Sequence, residues 1–179
     1  RLREASRYFA YPYNEPKLLK ELQDKLAHLD LYLDYRCRIA LHKNGTFHLE
    51  ITELTDLPAS YLQAQLTEQK LDLATPFTYV KTSQRDHLNQ SNHEQIFHLP
   101  DGTLLETTIG NLVLEIGGQL YTPPAHLPLL DGIYRRHLLE TQQVEEKLLT
   151  LNDLTDADRI YTCNALRGLY ELDFQRKDS

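Results

Sequence analysis

Four short stretches of the chain hold residue types that could do chemistry. Gly132-Ile133-Tyr134-Arg135 stands where a helical pattern begins. The unpaired N–H groups and dipole of a first helical turn favour an anion, although Gly132 taken alone reads as a simple turn glycine. Lys81 lies between a β-rich run and a polar stretch, the ordinary setting of a solvated lysine. To act as a nucleophile it has to be held partly desolvated, so that its amine is neutral often enough to attack and to move protons. Glu106 ends the apolar run Thr103-Leu104-Leu105 and by itself reads as an edge-strand carboxylate. Arg38, in an alternating segment, either reaches a substrate carboxylate or faces solvent. The eight histidines form no His-x-x-x-His pair with an acidic third ligand, and Asp153, Asp156 and Asp158 are too short an array for a calcium loop. No metal site is expected.

The elements that position these residues follow from periodicity. A first helix is expected at the start of the chain. Asn14-Glu15-Pro16 opens a second, in which Leu18, Leu19, Leu22, Leu26 and Leu29 form one apolar stripe. Tyr35–Leu41 and Phe47–Ile51, joined by Lys43-Asn44-Gly45-Thr46, read as a hairpin. The pattern weakens over about 55–80, and a domain boundary is placed near Leu73–Thr78. Beyond it, Ile96–Leu99, Thr103–Glu106, Asn111–Ile116 and Gln119–Thr122 carry antiparallel meander signals, with turns at Pro100-Asp101-Gly102 and Gly117-Gly118. A helix is expected after Gly132, strands over Val144–Leu148 and Arg159–Cys163, and a helix-prone segment over Asn152–Asp158.

Composition sets outer limits. The 179 residues carry 19 Lys and Arg against 26 Asp and Glu, a net charge of −7, and 41% are hydrophobic. That is globular composition with enough apolar content for a core. The chain lacks a basic cluster for nucleic acid and a run long enough to cross a bilayer, and it opens without the apolar stretch of a signal peptide. A cytoplasmic protein with free, buried thiols at Cys37 and Cys163 is expected.

Five segments, taken together and in order, carry a resemblance. They are Tyr79-Val80-Lys81-Thr82-Ser83-Gln84-Arg85, Leu105-Glu106-Thr107-Thr108-Ile109-Gly110-Asn111-Leu112, Tyr121-Thr122-Pro123-Pro124, Asp131-Gly132-Ile133-Tyr134-Arg135 and Thr162-Cys163-Asn164-Ala165-Leu166-Arg167-Gly168. From about residue 75 to 173 the sequence resembles the class IV, fold-type IV, pyridoxal-phosphate (PLP) enzymes, which include branched-chain and D-amino-acid aminotransferases. Within that group it looks most like 4-amino-4-deoxychorismate lyase, including the lyase domain fused behind component I of aminodeoxychorismate synthase. The opening Arg1-Leu2-Arg3-Glu4-Ala5-Ser6-Arg7-Tyr8-Phe9 is similar to the tail of a segment from the family's small domain.

The resemblance implies an α+β fold: a small N-terminal α/β domain over 1–76, its first strands lying before Arg1, and a larger β-rich pseudo-barrel domain over 77–179 that binds PLP. It implies Lys81 as the Schiff-base lysine and Glu106 as the partner of the pyridine nitrogen. Backbone amides of Ile133 and Tyr134 become phosphate ligands, with Asn164 and Ala165 on a second phosphate loop. A phosphate-binding arginine is expected upstream of Arg1. The family's aminotransferases carry Asn-Tyr four and five residues after the lysine, where this chain has Arg85 and Asp86. That departure points to the lyase, which forms 4-aminobenzoate and pyruvate, with Arg85 or Arg38 as possible substrate contacts. The alternatives are a D- or branched-chain aminotransferase and a non-catalytic relic of the fold. A small-molecule substrate and a homodimer are also implied.

Overall fold

The computed structural model describes residues 1–69, 76–83 and 93–174. The chain divides into two compact units, Arg1–Asp56 and Leu57–Ser179.

In the first unit, α1 (Leu2–Tyr8) precedes α2 (Glu15–Leu26). Asn14 caps α2 by accepting the Lys17 N–H at 3.0 Å, and Pro16 occupies the first turn, where its missing N–H costs nothing. Of the predicted leucine stripe, Leu18 is buried while Leu19 and Leu26 remain exposed. The hairpin forms as expected, with β1 (Tyr35–Leu41) antiparallel to β2 (Phe47–Glu53) around Asn44-Gly45. Asn44 Oδ1 closes the turn by accepting the Thr46 N–H and hydroxyl. Cys37 is exposed on β1, contrary to the expected burial, because the residues around it on that strand face solvent.

Among the described residues, the second unit is built on a nine-stranded sheet. Its strands are β3 (Gln63–Glu68), β4 (Glu94–His98), β5 (Leu104–Thr107), β6 (Asn111–Ile116), β7 (Gln119–Thr122), β8 (Glu145–Glu146), β9 (Arg159–Asn164), β10 (Gly168–Glu171) and β11 (Asp173–Phe174). The main path runs β10-β9-β6-β5-β4-β3-β11, with β7 pairing both β6 and β8. Among the described residues two short α-helices are added, α3 (Ile133–Glu140) and α4 (Leu151–Asp156). Thr150 and Asp153 form a reciprocal capping box that starts α4. The main core gathers Ile96, Leu104, Leu112, Leu114, Leu149, Leu154 and Ile160. A second cluster, with Val113, Leu138, Val144 and Cys163, lies where α3 meets β9.

Two expectations change, and one is met. The boundary placed at Leu73–Thr78 falls inside the second unit, since β3 pairs in parallel with β4 across Ala64↔Glu94 to Glu68↔His98. The expected meander forms, with β4–β5, β5–β6 and β6–β7 all antiparallel, and the sheet is mixed because β3–β4, β3–β11 and β7–β8 are parallel. The strand expected over Val144–Leu148 shrinks to Glu145–Glu146, with Val144 buried beside α3.

Candidate active site

The site begins at the tight β5–β6 turn. Glu106 and Asn111 are register partners on either side of it, and both side chains are almost fully buried. Thr107 closes the turn from within, its N–H and hydroxyl both donating to Gly110 O. The Thr107 hydroxyl also bonds that of Thr162 on β9 at 2.6 Å, deep in the core. β9 lies beside β6, with Asn111 opposite Cys163, so Glu106, Asn111 and Cys163 form one row across three strands.

That row grips the segment leading into α3. Glu106 Oε2 accepts the Leu130 N–H at 3.2 Å, and Asn111 Nδ2 donates to Leu130 O at 2.7 Å. Two residues on, Gly132 is the N-cap of α3 and supplies no side-chain cap. A Cβ built on Gly132 would collide with Asn111 Oδ1, so only glycine lets the chain pass this close to β6. The amides of Ile133 and Tyr134 open the helix, where first-turn N–H groups have no intrahelical acceptor. Ile133 is exposed and Tyr134 half-buried.

Arg135, the last residue of the Asp131–Arg135 segment, is a buried pin. Its guanidinium donates to Asp131 at 3.1 Å, to Pro123 O at 2.7 Å and to Glu146. These contacts tie α3 to β8 and to the segment after β7. The arginine holds the Glu146 carboxyl below its usual range in spite of the opposing effect of burial.

The second loop follows β9. Asn164 Oδ1 accepts the N–H groups of Leu166 and Arg167, each at 3.0 Å, and shapes the turn into β10. Ala165 is exposed at its tip. Gly168 ends the turn at φ +72°, and a Cβ there would lie 3.3 Å from the Tyr134 hydroxyl. Tyr134 and the Asn164–Gly168 loop are therefore neighbours. Cys163 is buried, and burial pushes its thiol up to about 11.

Lys81 follows a short 3-10 turn, Pro76–Thr78, and its side chain is exposed. The desolvation that a Schiff-base role needs is not supplied by the described residues. Arg38 lies on the hairpin of the first unit, 3.7 Å from its cross-strand partner Glu50. Arg85 lies outside the described residues. Sequence reasoning missed Asn111 as a residue of the site, though its place in the Glu106 segment marked it, and missed Glu94, Thr107 and Thr162, whose roles come from long-range pairing.

Among the described residues no group of three or more His, Cys, Asp or Glu is placed to hold a metal ion, and no helix is long and apolar enough to cross a membrane.

Comparison with known proteins places this arrangement. The profile of amino-transferase class IV matches residues 1–172. A Vibrio harveyi aminodeoxychorismate lyase is 34% identical over 87 residues, covering 46% of this chain and 28% of that protein. A Haemophilus influenzae protein is 33% identical over 76 residues, 42% of this chain and 39% of its own length. The chain thus spans well under half of the curated relatives it matches. Among solved structures, a Mesorhizobium loti protein provisionally assigned as an amino-acid aminotransferase superposes with a TM-score of 0.83 at 26% identity, over 98% of this chain and 88% of that one. A Brucella abortus aminotransferase bound to PLP gives 0.72 at 18% identity, over 89% and 68%. The buried carboxylate, the uncapped helix start and the adjoining loop are thus set on a shared fold, and the chain belongs to the class IV aminotransferase family.

Proposed function

We propose that this chain is the PLP-binding part of a lyase that converts 4-amino-4-deoxychorismate to 4-aminobenzoate and pyruvate. The observation that carries the cofactor half is the shared grip of Glu106 and Asn111 on Leu130, which sets a buried carboxylate beside an uncapped helix start. The family's cofactor is PLP, and the donor set fits it: an acidic group for the ring nitrogen, amides for the phosphate, and a cradle at Gly132 that a side chain would fill. Bound PLP supplies an electron sink for the pair left behind when a proton leaves the amine-bearing carbon.

The chain's own residues then have distinct tasks. The N–H groups of Ile133 and Tyr134 bind the phosphate, with Asn164 and Ala165 completing the second side. Glu106 holds a proton at the ring nitrogen, and its burial keeps that interaction out of water. Lys81 anchors the cofactor, takes the proton from the substrate carbon that bears the amine, and returns a proton to the enolpyruvyl methylene as the C–O bond breaks. Formation of the aromatic ring drives the step downhill.

The lyase is favoured over transamination by Arg85 and Asp86, which stand where the family's aminotransferases carry Asn-Tyr, and by the Vibrio harveyi relative. The aminotransferase reading draws on the Mesorhizobium loti structure. The test incubates the PLP-loaded protein with aminodeoxychorismate and no amino acceptor, reading pyruvate through lactate dehydrogenase. Pyruvate and 4-aminobenzoate are expected in equal amounts, and none with Lys81→Ala. Turnover only when a keto acid is present establishes the aminotransferase instead. A protein that binds PLP through Lys81 yet turns over neither substrate class is the non-catalytic relic.

A further inference from the structure

Glu94 is fully buried on β4 and lies in none of the motifs that mark the site. A carboxylate in a core is costly unless it is held by donors, and this one faces the turn that carries Glu106. Its Oε1 accepts the Ile109 N–H at 3.1 Å. The polar groups of Thr107 and Thr108, whose own hydrogen bonds go to Gly110 O and Gln95 O, lie near enough to favour the anion. The Ile109 N–H is thus the hydrogen bond by which this buried side chain holds the turn.

Register pairing reaches this turn at its ends, at Thr107 and Asn111, and leaves its middle to other contacts. Glu106↔Asn111 is the one register pair between β5 and β6, and the β4–β5 register shifts between Ile96 and His98. Backbone support from β4 comes through Gln95, whose O accepts the Thr108 N–H at 3.1 Å and whose N–H donates to the Thr108 hydroxyl at 3.0 Å. Glu94 adds the next link, at Ile109. Its other oxygen is buried without a hydrogen-bond partner, as is the Tyr170 hydroxyl, and the charge of Glu94 adds to burial in pushing that phenol up. A neutral amide at 94 keeps an acceptor for Ile109, whereas a shorter acid loses the reach.

We infer that Glu94 is a positioning residue for Glu106, fixing the Thr107–Gly110 turn through the Ile109 N–H. The inference rests on the assignment of Glu106 to the pyridine nitrogen, and its test separates the two. Glu94→Asp, Glu94→Gln, Glu106→Gln and the double variant Glu94→Asp/Glu106→Gln are compared by the visible absorbance and pH titration of bound PLP, by turnover, and by amide exchange at Ile109 in the cofactor-free protein. Glu94→Asp is expected to speed Ile109 exchange, to move the cofactor spectrum in the direction seen for Glu106→Gln, and to slow turnover about 10- to 100-fold. Glu94→Gln is expected to stay within about threefold of wild type, and the double variant to be no worse than Glu106→Gln alone. A wild-type spectrum and Ile109 exchange in Glu94→Asp overturn the inference while leaving Glu106 in place. So do losses that multiply in the double variant, which mark a general structural role. An unchanged spectrum in Glu106→Gln overturns both assignments. The spectral and exchange readouts stand whichever substrate the enzyme takes.

Discussion

Glu106 and Asn111 face each other across the β5–β6 turn and hold opposite polar groups of the same residue, one accepting the Leu130 N–H and the other donating to Leu130 O. The path of the chain into α3 is therefore set by two side chains of the sheet. It does not depend on a cap within the helix, since Gly132 provides none.

Replacing Asn111 by Ala leaves Leu130 O without its donor, at an expected cost of about 1–3 kcal/mol. Gly132→Ala forces Asn111 Oδ1 aside and costs a similar about 1–3 kcal/mol by overpacking. Both act on one contact, so Gly132→Ala is expected to cost much less in the Asn111→Ala background. Urea denaturation of the four proteins in this cycle measures the coupling; strictly additive losses would show the two positions to be independent.

Glu106→Gln keeps an acceptor for the Leu130 N–H and so preserves the fold. It removes the negative charge, and turnover is expected to fall about 10- to 100-fold, the equivalent of about 1.4–2.7 kcal/mol. Steady-state kinetics beside a thermal melt separates the two effects. Equal activity with an unchanged melt would remove Glu106 from the mechanism.

Arg135 has three acceptors and is 2% exposed, while its carboxylate partners are 42% and 44% exposed. Arg135→Met loses all three contacts, but the carboxylates can turn to water. The expected loss is about 2–3 kcal/mol, below the range for breaking a pair buried at both ends. Lysine, a point donor in place of a fork, is expected to rescue less than half of it. Chemical denaturation of both variants checks the order.

How much of this was legible from the sequence depended on the range of each interaction. The Asn44-Gly45 hairpin and the Asn14-x-Pro16 helix start are local devices and form where expected. β3 escaped because only Ala64 along Gln63–Glu68 is buried, so the strand has no alternating pattern to read. Its register comes from parallel pairing with β4, thirty residues on. The same holds within the site: Glu106 and Gly132 belong to motifs, but the Thr107–Thr162 bond and the tether from Glu94 exist only once distant strands have met. Arg135 was legible as a member of the Asp131–Arg135 motif, and its full burial was not.

Burial pushes the Glu94 carboxyl above its ordinary 4.5. Between that value and the raised one, the folded protein keeps a proton that the unfolded chain has released, so stability falls as pH rises through the window. The groups facing it are the Thr107 hydroxyl, the N–H groups of Thr108 and Ile109, and Tyr170, whose phenol is itself raised and stays neutral there. Glu94→Gln abolishes this titration. Measured from pH 4.5 upward, its stability relative to wild type is expected to climb and then level off; a constant difference would show that Glu94 does not hold a proton.

The two thiols differ in access. Cys37 is exposed, whereas Cys163 is buried with its ionisation pushed up to about 11. A disulfide reagent at pH 8 is expected to titrate one thiol in the native protein and two in urea. Rapid reaction of both without denaturant would contradict the packing of β9 against α3.

The Tyr134 hydroxyl lies against Gly168, where β10 begins. β10 is the outer strand at one end of the sheet, and Gly168 is its first residue. Unpaired edges of this kind recruit strands from other chains. With the phenol of Tyr134 against its entry and four residues in all, β10 offers a foreign strand little to pair with. A Cβ at 168 would need that ring to give by a few tenths of an ångström, so the glycine that shapes the loop also lets Tyr134 sit against the start of this edge strand.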